Sequence, residues 1–174
     1  GIGLSSDEKY FIITTSDHDA SEQHYFSVNE KYPKPKLIKQ RKKGVLYSIN
    51  SWDGFFYNHS NEDAEDFKIE RCKDLVDQKW ETYIAAKDEI LIGGLVFLND
   101  WIIRSEVSNA LGKIFVKNIK TNIEKEIKFT DEKVIDPGIS LKQRDKNTDY
   151  IHLSYSSPKT QSRVYLYNLK TEEK

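Results

Sequence analysis

Several residue types are scarce in this chain of 174 residues, which has no methionine, four prolines and one cysteine, Cys72. A lone cysteine cannot form an internal disulfide, which excludes the small disulfide-stapled secreted folds and favours a reducing, cytoplasmic location. No apolar run is long enough for a signal peptide or a membrane span, so we expect no membrane partner. The missing initiator methionine indicates that the sequence is part of a longer gene product.

An excess of charge of one sign is lacking as well. The 27 Lys and Arg residues nearly balance the 28 Asp and Glu residues, and the formal net charge is -1. No global field therefore favours nucleic acid or an acidic surface. The chain is polar, with 32% charged residues and a mean hydropathy of -0.69, but 12% of its residues are aromatic. This aromatic content is typical of one folded domain rather than of a disordered chain.

Motifs for catalysis are missing too. The chain has no G-x-S-x-G nucleophile elbow, no G-x-x-x-x-G-K-[ST] phosphate loop and no complete dinucleotide loop. We therefore predict no catalytic residue and no cofactor in this chain.

Short segments with period-two alternation of apolar and polar residues fill the sequence, as in half-buried β-strands. The possible helix at Asp63–Gln78 is interrupted by the strand-like "FKIER". Turn residues separate the segments, for example at Asp53-Gly54, Asn99-Asp100 and Ala110-Leu111-Gly112. These patterns predict an all-β fold.

One strand-like stretch occurs twice: "IFVKNIKT" (Ile114–Thr121) is matched 50 residues later by "VYLYNLKT" (Val164–Thr171). Strands that begin with an aromatic residue likewise recur at intervals of 45, 46 and 49 residues, at Tyr10, Phe55, Trp101 and Tyr150. Three further kinds of strand recur between them. Four strands every 45 to 50 residues are typical of propeller blades. The predicted blade fragments are approximately residues 1–43, 44–87, 88–130 and 131–174.

The blade pattern is incomplete at both ends. Residues 1–8 hold at most the end of a first strand, and no fourth strand follows "NLKTEEK". We therefore predict a partial β-propeller of two full four-stranded blades and two incomplete ones. The exposed strands at Tyr10–Ser16 and Arg163–Leu169 would then pair with other copies of the chain and give dimers or aggregates. A β-sandwich of similar strand number is the alternative fold.

Four local features have a structural interpretation beside a functional one. The stretch from Ser16 to His24 offers Asp17, His18, Asp19 and His24 as metal ligands, but such residues also favour turns. The basic run Lys31–Lys43 suggests a nucleic-acid site, yet lysines also protect edge strands. Asn58-His59-Ser60 fits the glycosylation triplet but lies inside a strand, and Cys72 fits a small packed residue better than a nucleophile. We favour the structural interpretation of each feature, and so expect no metal and no nucleic-acid partner.

Several stretches resemble the propeller domain of the oligopeptidase B group in the prolyl oligopeptidase family of serine peptidases. They are "HDASEQHYF" (His18–Phe26), "DFKIER" (Asp66–Arg71), "WETYIAAKDEILIGGLVFLNDWIIRSEVSNALGKIFV" (Trp80–Val116) and "DYIHLSYSSPKTQSRVYLYNLKT" (Asp149–Thr171). The resemblance covers essentially the whole chain in the family's order. Gln161, Ala86 and Gly93 depart from residues common in the family, at positions that we expect to lie around turns.

The resemblance implies a parent enzyme with a seven-bladed propeller and an α/β-hydrolase domain that carries Ser, Asp and His. Such enzymes cut short peptides after Lys or Arg, and the propeller restricts access by folded proteins. The hydrolase segment is absent from this chain, so no catalytic residue is carried over. The expected partners are the hydrolase domain of the same parent chain and short basic peptides.

Loops that follow the second strand of each blade are our candidates for gating or interdomain contact. They lie within Asn61–Asp66, Ser108–Gly112 and Pro158–Ser162. The candidate residues are Asn61, Glu62, Asp63, Ser108, Asn109, Lys159 and Thr160. Two other functions compete with gating: a propeller or sandwich that binds proteins without an attached enzyme, and a free-standing β-domain whose basic run binds nucleic acid.

Overall fold

The computed structural model describes residues 1–129, 134–141, 145–158 and 160–174. These residues contain fifteen β-strands and no helix, which confirms the all-β prediction. They form two compact units, Gly1–Asp88 and Glu89–Lys174, and every sheet lies within one unit.

Unit 1 contains two four-stranded antiparallel sheets with strands in sequence order. Sheet one comprises β1 (Ile2–Leu4), β2 (Tyr10–Ser16), β3 (Ser21–Ser27) and β4 (Lys36–Lys39). Sheet two comprises β5 (Tyr47–Trp52), β6 (Phe55–Ser60), β7 (Lys68–Cys72) and β8 (Glu81–Ile84).

Unit 2 contains one four-stranded and one three-stranded antiparallel sheet among its described residues. Sheet three comprises β9 (Leu91–Leu98), β10 (Trp101–Ser108), β11 (Leu111–Asn118) and β12 (Glu124–Glu126). Sheet four comprises β13 (Ile135–Leu141), β14 (Tyr150–Ser157) and β15 (Thr160–Asn168).

The first sheet differs from the sequence-based expectation. Strand β1 pairs with β2 through Ile2↔Ile13, Gly3↔Ile12 and Leu4↔Phe11, so sheet one has four strands instead of three. The prediction of two full sheets was therefore wrong, because three are complete. Tyr10–Ser16 is consequently an interior strand rather than an open edge. Because β1 has only three residues, it is too short to show an alternating pattern, and the sequence therefore did not predict it as a full strand.

Tight two-residue turns join some of the consecutive strands, including β5 to β6 and β10 to β11. Asp53 and Gly54 connect β5 to β6 with φ of 49° and 80°, as a mirror-image hairpin turn requires. Between β10 and β11 the turn consists of Asn109 and Ala110, with φ of 51° and 62°. The predicted turn at Ala110-Leu111-Gly112 was therefore misplaced, since Leu111 already begins β11.

The repeated stretch encodes a strand followed by a specific turn. The Asn118 side-chain oxygen accepts hydrogen bonds from the amides of Lys120 (2.9 Å) and Thr121 (3.1 Å). Asn168 binds Lys170 (2.8 Å) and Thr171 (3.0 Å) in the same way. Such side-chain to backbone bonds are typical of Asx turns. The repeat therefore has a structural explanation: in each copy the asparagine ends a strand and forms the turn that reverses the chain.

A core of buried side chains joins the two sheets of unit 1, and the phenol of Tyr47 lies within it. The core consists of Ile38, Tyr47, Ile49, Phe56, Cys72 and Leu75. The Tyr47 hydroxyl accepts hydrogen bonds from the amides of Gln23 (2.7 Å) and Lys39 (3.2 Å) and donates to the Lys39 carbonyl (2.6 Å). These groups flank the register shift between β3 and β4. Tyr47 of sheet two thus satisfies the backbone that a bulge in sheet one leaves unpaired.

The two sheets of unit 2 also share a buried core, and they approach closely at a glycine. The core consists of Leu98, Ile103, Ile114, Val116, Ile127, Ile151, Leu153, Tyr167 and Leu169. At Gly112 a Cβ atom would lie only 2.3 Å from Cγ of Pro137. The Gly112 amide also donates a hydrogen bond to the Val134 carbonyl (3.1 Å). Glycine is therefore required where sheet three meets the chain that leads into β13.

A second glycine occupies a bulge inside sheet three. The pairing of β9 with β10 shifts register between Arg104 and Glu106, and a Cβ on Gly93 would lie 2.2 Å from the Ser105 hydroxyl. Gly93 thus lies within β9 and not near a turn, as we had expected. The close backbone approach at the bulge explains why a larger residue does not fit there.

We expect Gly112→Ala to lower the free energy of unfolding by about 1–3 kcal/mol, because the new methyl group overlaps the Pro137 ring. Gly94→Ala is the matched control: Gly94 also lies in a strand of sheet three, but no atom lies within 4 Å of its Cβ position. That change should be neutral or stabilising by up to ~1 kcal/mol. Urea denaturation followed by fluorescence measures both, and equal stabilities would contradict the prediction.

We expect Tyr47→Phe to destabilise the chain by about 1–3 kcal/mol, because buried backbone groups of Gln23 and Lys39 lose their partner. Tyr25→Phe is the control, since Tyr25 packs on the same core but does not bond the β3–β4 bulge. Thermal denaturation of both variants measures the difference. A Tyr47→Phe variant as stable as the control would show that the bulge does not depend on this hydroxyl.

Candidate functional site

The polar loops of unit 1 meet at one end of its two sheets. Asn61, which follows β6, faces the connection between β4 and β5. Its side-chain oxygen accepts a hydrogen bond from the Leu46 amide (2.7 Å), and its side-chain nitrogen donates to the Gly44 carbonyl (3.2 Å). Its own amide donates to the Leu46 carbonyl (3.2 Å). The Asn61 carboxamide therefore anchors the connection between β4 and β5 through these hydrogen bonds.

Glu62 and Asp63 continue this loop toward solvent. The Glu62 carboxylate lies 3.6 Å from the ammonium groups of both Lys39 and Lys42. Asp63 is exposed and adopts a positive φ of 53° in the turn. Surface ion pairs of this kind contribute little to stability. Asp63 therefore presents its side chain to solvent, whereas Glu62 is half-buried and its carboxylate makes ion pairs that add little stability.

The turn between β2 and β3 lies at the same end of unit 1. The Asp17 carboxylate accepts hydrogen bonds from the amides of Asp19 and Ala20, both at 2.8 Å, and lies 3.0 Å from the Arg41 guanidinium. Those two backbone hydrogen bonds, followed by the charge of Arg41, hold the pKa of Asp17 below its ordinary value. The Gly44 amide donates to the Asp19 carboxylate (3.2 Å). Asp17 therefore stabilises the turn between β2 and β3, and Asp19 binds the connection between β4 and β5.

The structural interpretation of the basic run agrees with these contacts. Its members Lys39, Arg41 and Lys42 pair with carboxylates, and the Arg41 amide donates to Glu22 (2.8 Å). The acidic residues around this run offset its charge locally. The absence of a nucleic-acid partner stays a prediction.

The described candidates of unit 2 lie at or beside its hairpin turns. Ser108 is the last residue of β10 and is half-buried, whereas Asn109 is exposed in the turn that follows. Thr160 begins β15 opposite Ser157, and Lys159 lies outside the described residues. Of Ser108 and Asn109, only Asn109 is open to solvent.

Histidine and cysteine form no candidate metal or nucleophile site in the described part of the chain, where no group of three or more potential ligands occurs. His59 stacks on the ring of Phe67 with centroids 4.6 Å apart. Cys72 is buried, and this burial raises the pKa of its thiol from 9.0 to about 11. A thiol with so high a pKa stays protonated near neutral pH and is a poor nucleophile.

A buried ion pair went unnoticed in the sequence. Arg104 and Glu106 on β10 are each only 5% exposed, and their charged groups lie 3.1 Å apart. The Arg104 guanidinium also contacts Glu124 (2.6 Å) and lies over the ring of Phe115, 4.5 Å from its centroid. Polar residues that alternate along a strand usually indicate a solvent-facing side, so spacing alone could not reveal this burial. Burying two charged groups carries a desolvation cost, which their mutual attraction and their contacts with Glu124 and Phe115 must offset. Because these contacts require a fixed geometry, the ion pair favours a rigid β10.

Asn58 is a further buried polar side chain that the sequence did not indicate. Its carboxamide on β6 is fully buried and makes no hydrogen bond within the described structure. Burial also excludes the side chain as a glycosylation acceptor in the folded chain. The triplet Asn58-His59-Ser60 is therefore a coincidence of strand composition, as we had favoured.

No helix among the described residues is long and apolar enough to span a membrane.

The whole chain, residues 1–174, matches the family model described as the prolyl oligopeptidase N-terminal β-propeller domain. The chain therefore belongs to the prolyl oligopeptidase family of serine peptidases, as part of its non-catalytic propeller domain. This membership confirms the predicted resemblance and the partial propeller. It also decides against the β-sandwich alternative.

Individual relatives give the same assignment. Dipeptidyl aminopeptidase BI of Pseudoxanthomonas mexicana is 26% identical over 100% of this chain, and Protease 2 of Moraxella lacunata is 23% identical over 99%. The solved structure of oligopeptidase B from Trypanosoma brucei superposes on 99% of the chain with a TM-score of 0.86 at 21% identity. Prolyl oligopeptidase B from Galerina marginata superposes on 98% with a TM-score of 0.78 at 14% identity. The chain spans 24% of the length of each curated relative and 26% and 24% of these two structures.

We expect Asn61→Ala to lower the free energy of unfolding by about 1–2 kcal/mol, because two hydrogen bonds to the β4–β5 connection are lost. Glu62→Gln, one residue away, should change it by less than about 0.5 kcal/mol. Urea titrations at low and high salt measure both effects. A large, salt-sensitive loss for Glu62→Gln would contradict the assignment of this residue to a weakly bound surface.

Proposed function

We propose that this chain is a substrate-gating part of a serine endopeptidase, in which it restricts access to a hydrolase domain of the same parent polypeptide. The observation that supports this most directly is the match of residues 1–174 to the family's propeller domain. The buried cores of the sheets supply the rigidity that a gate needs. A rigid gate admits an extended peptide to the hydrolase domain and excludes a folded protein.

Short peptides cut after Lys or Arg are the proposed substrates of the parent enzyme. This specificity is what the resemblance to the oligopeptidase B group implies, a resemblance carried by stretches between His18 and Thr171. The structural likeness to oligopeptidase B from Trypanosoma brucei, which was solved with covalently bound antipain, is in keeping with the proposal.

The exposed turns are the proposed contacts with the hydrolase domain or with passing substrate. Asp63 and Asn109 are suited to this role because their side chains are exposed, and Glu62 because its ion pairs with Lys39 and Lys42 are weak enough to be exchanged for another partner. Ser108, Thr160 and Lys159 stay secondary candidates. Asn61 would act indirectly, since it fixes the position of the loop that carries Glu62.

We further propose that the parent works in the cytoplasm and that the isolated chain self-associates through the edge of β15. The lone, buried and protonated Cys72 suits a reducing compartment. An unpaired strand edge favours association. A protein-binding role without an enzyme is the competing proposal.

Isolation of the native polypeptide with an antibody raised against this chain tests the function. We expect a protein several times heavier than 20.3 kDa that hydrolyses short Arg- or Lys-containing peptides and spares folded proteins. The purified 174-residue chain should be inactive in the same assay. A native band at 20.3 kDa, or equal cleavage of folded proteins, would contradict a gating role.

A further inference from the structure

The loop between β6 and β7 ends in a strained residue. Phe67, which directly precedes β7, has a φ of 73° in the left-handed region. The other described residues with a positive φ are glycine, Asp, Asn, Glu, Gln or Ala, so Phe67 is the aromatic member of this set. The conformation is unfavourable for a bulky L-residue, because its Cβ atom comes too close to the following carbonyl oxygen. Contacts around Phe67 must therefore hold it there.

A ring stack on the neighbouring strand supplies such a contact. The rings of Phe67 and His59 have centroids 4.6 Å apart and an interplanar angle of 15°. His59 pairs directly with Ile69 of β7, so Phe67 lies two residues before the partner of His59. Aromatic side chains reach such diagonal neighbours across two strands. The stack is therefore an interaction that Phe67 loses if it leaves its strained conformation.

The loop itself consists of two successive turns. The Ala64 amide donates a hydrogen bond to the Asn61 carbonyl (3.1 Å), and the Phe67 amide donates to the Ala64 carbonyl (2.9 Å). Ala64 is buried between the exposed residues Asp63 and Glu65. Asn61 and Phe67 are thus the two ends of one compact loop.

These two ends are held with different strength. Asn61 makes three hydrogen bonds to Gly44 and Leu46, through its carboxamide and its own amide. Phe67 is held by one backbone hydrogen bond and by the ring stack. An aromatic stack and a left-handed backbone have energies of similar size and opposite sign, so the stack does little more than offset the strain. The Phe67 end is therefore the end that should release first.

We propose that the stack of Phe67 on His59 is a latch that holds the β6–β7 loop closed, and that the loop opens about Asn61 as its hinge. When the latch opens, the Phe67 ring leaves His59, its φ returns to the ordinary negative range, and its hydrogen bond to Ala64 breaks. The exposed Asp63 moves with the loop. The latch follows from these contacts alone, whereas its use in gating rests on the proposed function, in which Asp63 is a contact residue.

Hydrogen–deuterium exchange in the full 174-residue chain tests the latch. The Phe67 amide reports its opening, and the Asn61 amide reports the hinge. The buried Ile49 amide, which donates to the Gln23 side chain (2.8 Å), reports global unfolding. We expect the protection factor of the Phe67 amide to be at least tenfold lower than those of Asn61 and Ile49, because opening is local. Equal protection of Phe67 and Asn61 would overturn the proposal.

Removal of the stacking partner tests the stack. His59→Ala should lower the protection factor of the Phe67 amide at least threefold and leave that of Ile49 within twofold. His24→Ala is the matched control, because His24 is also half-buried in an interior strand, β3 of sheet one, and it should not change Phe67. An unchanged Phe67 amide in His59→Ala, or an equal loss of protection at Ile49, would overturn the latch. If a variant fails to fold, the comparison of amides in the wild-type chain decides.

Two substitutions at residue 67 test the strain. Phe67→Ala removes the ring but keeps a Cβ atom in the left-handed conformation, whereas Phe67→Gly removes both the ring and the strain. The amide of residue 67 should therefore keep at least threefold more protection in Phe67→Gly than in Phe67→Ala, after correction for intrinsic exchange rates. Equal protection in the two variants would overturn the role of strain in the latch. These measurements involve no hydrolysis, so they decide the latch whether or not the chain gates a peptidase.

Discussion

The burial of one sheet face against the next sheet of the same unit is the interaction on which this structure depends. An antiparallel sheet of short strands has too little internal stabilisation to persist with both faces in water. In unit 1, Ile49 and Phe56 of sheet two pack with Ile38 of sheet one, and in unit 2, Ile103 and Ile114 pack with Ile151. Each sheet is thus held by its neighbour, and the turns and connections are positioned as a consequence.

Polar side chains make this packing specific. Apolar faces can slide over one another, whereas a buried hydrogen bond has one geometry. Tyr47 reaches across to the bulge of sheet one, and burial raises the pKa of its phenol above the ordinary value, which favours the protonated form that donates to the Lys39 carbonyl. Asn61 ties the end of β6 to the preceding connection. The result is a set of loops whose backbone is firmly placed while some of their side chains stay exposed.

This combination suits the family to which the chain belongs. A propeller domain that controls access must resist deformation and still present a polar surface to another domain or a peptide. Here the sheet cores and residues such as Asn61 and Asp17 supply the rigid part, and residues such as Asp63 and Asn109 supply the exposed part.

The sequence by itself determined the all-β class, the recurrence of strands and the family, because alternation, turn residues and repeats are local properties of the chain. It also placed the turns at Asp53-Gly54 and Asn99-Asp100. The short strand β1, the turn at Asn109-Ala110, the bulge at Gly93 and the ion pair of Arg104 with Glu106 were decided only by tertiary structure. Each of these depends on what lies across a sheet or opposite a strand, and contacts between residues distant in sequence leave no local pattern. For the same reason the sequence could select Asn61 and Asp63 together, but only the tertiary structure showed that Asn61 anchors a connection and that Asp63 is exposed.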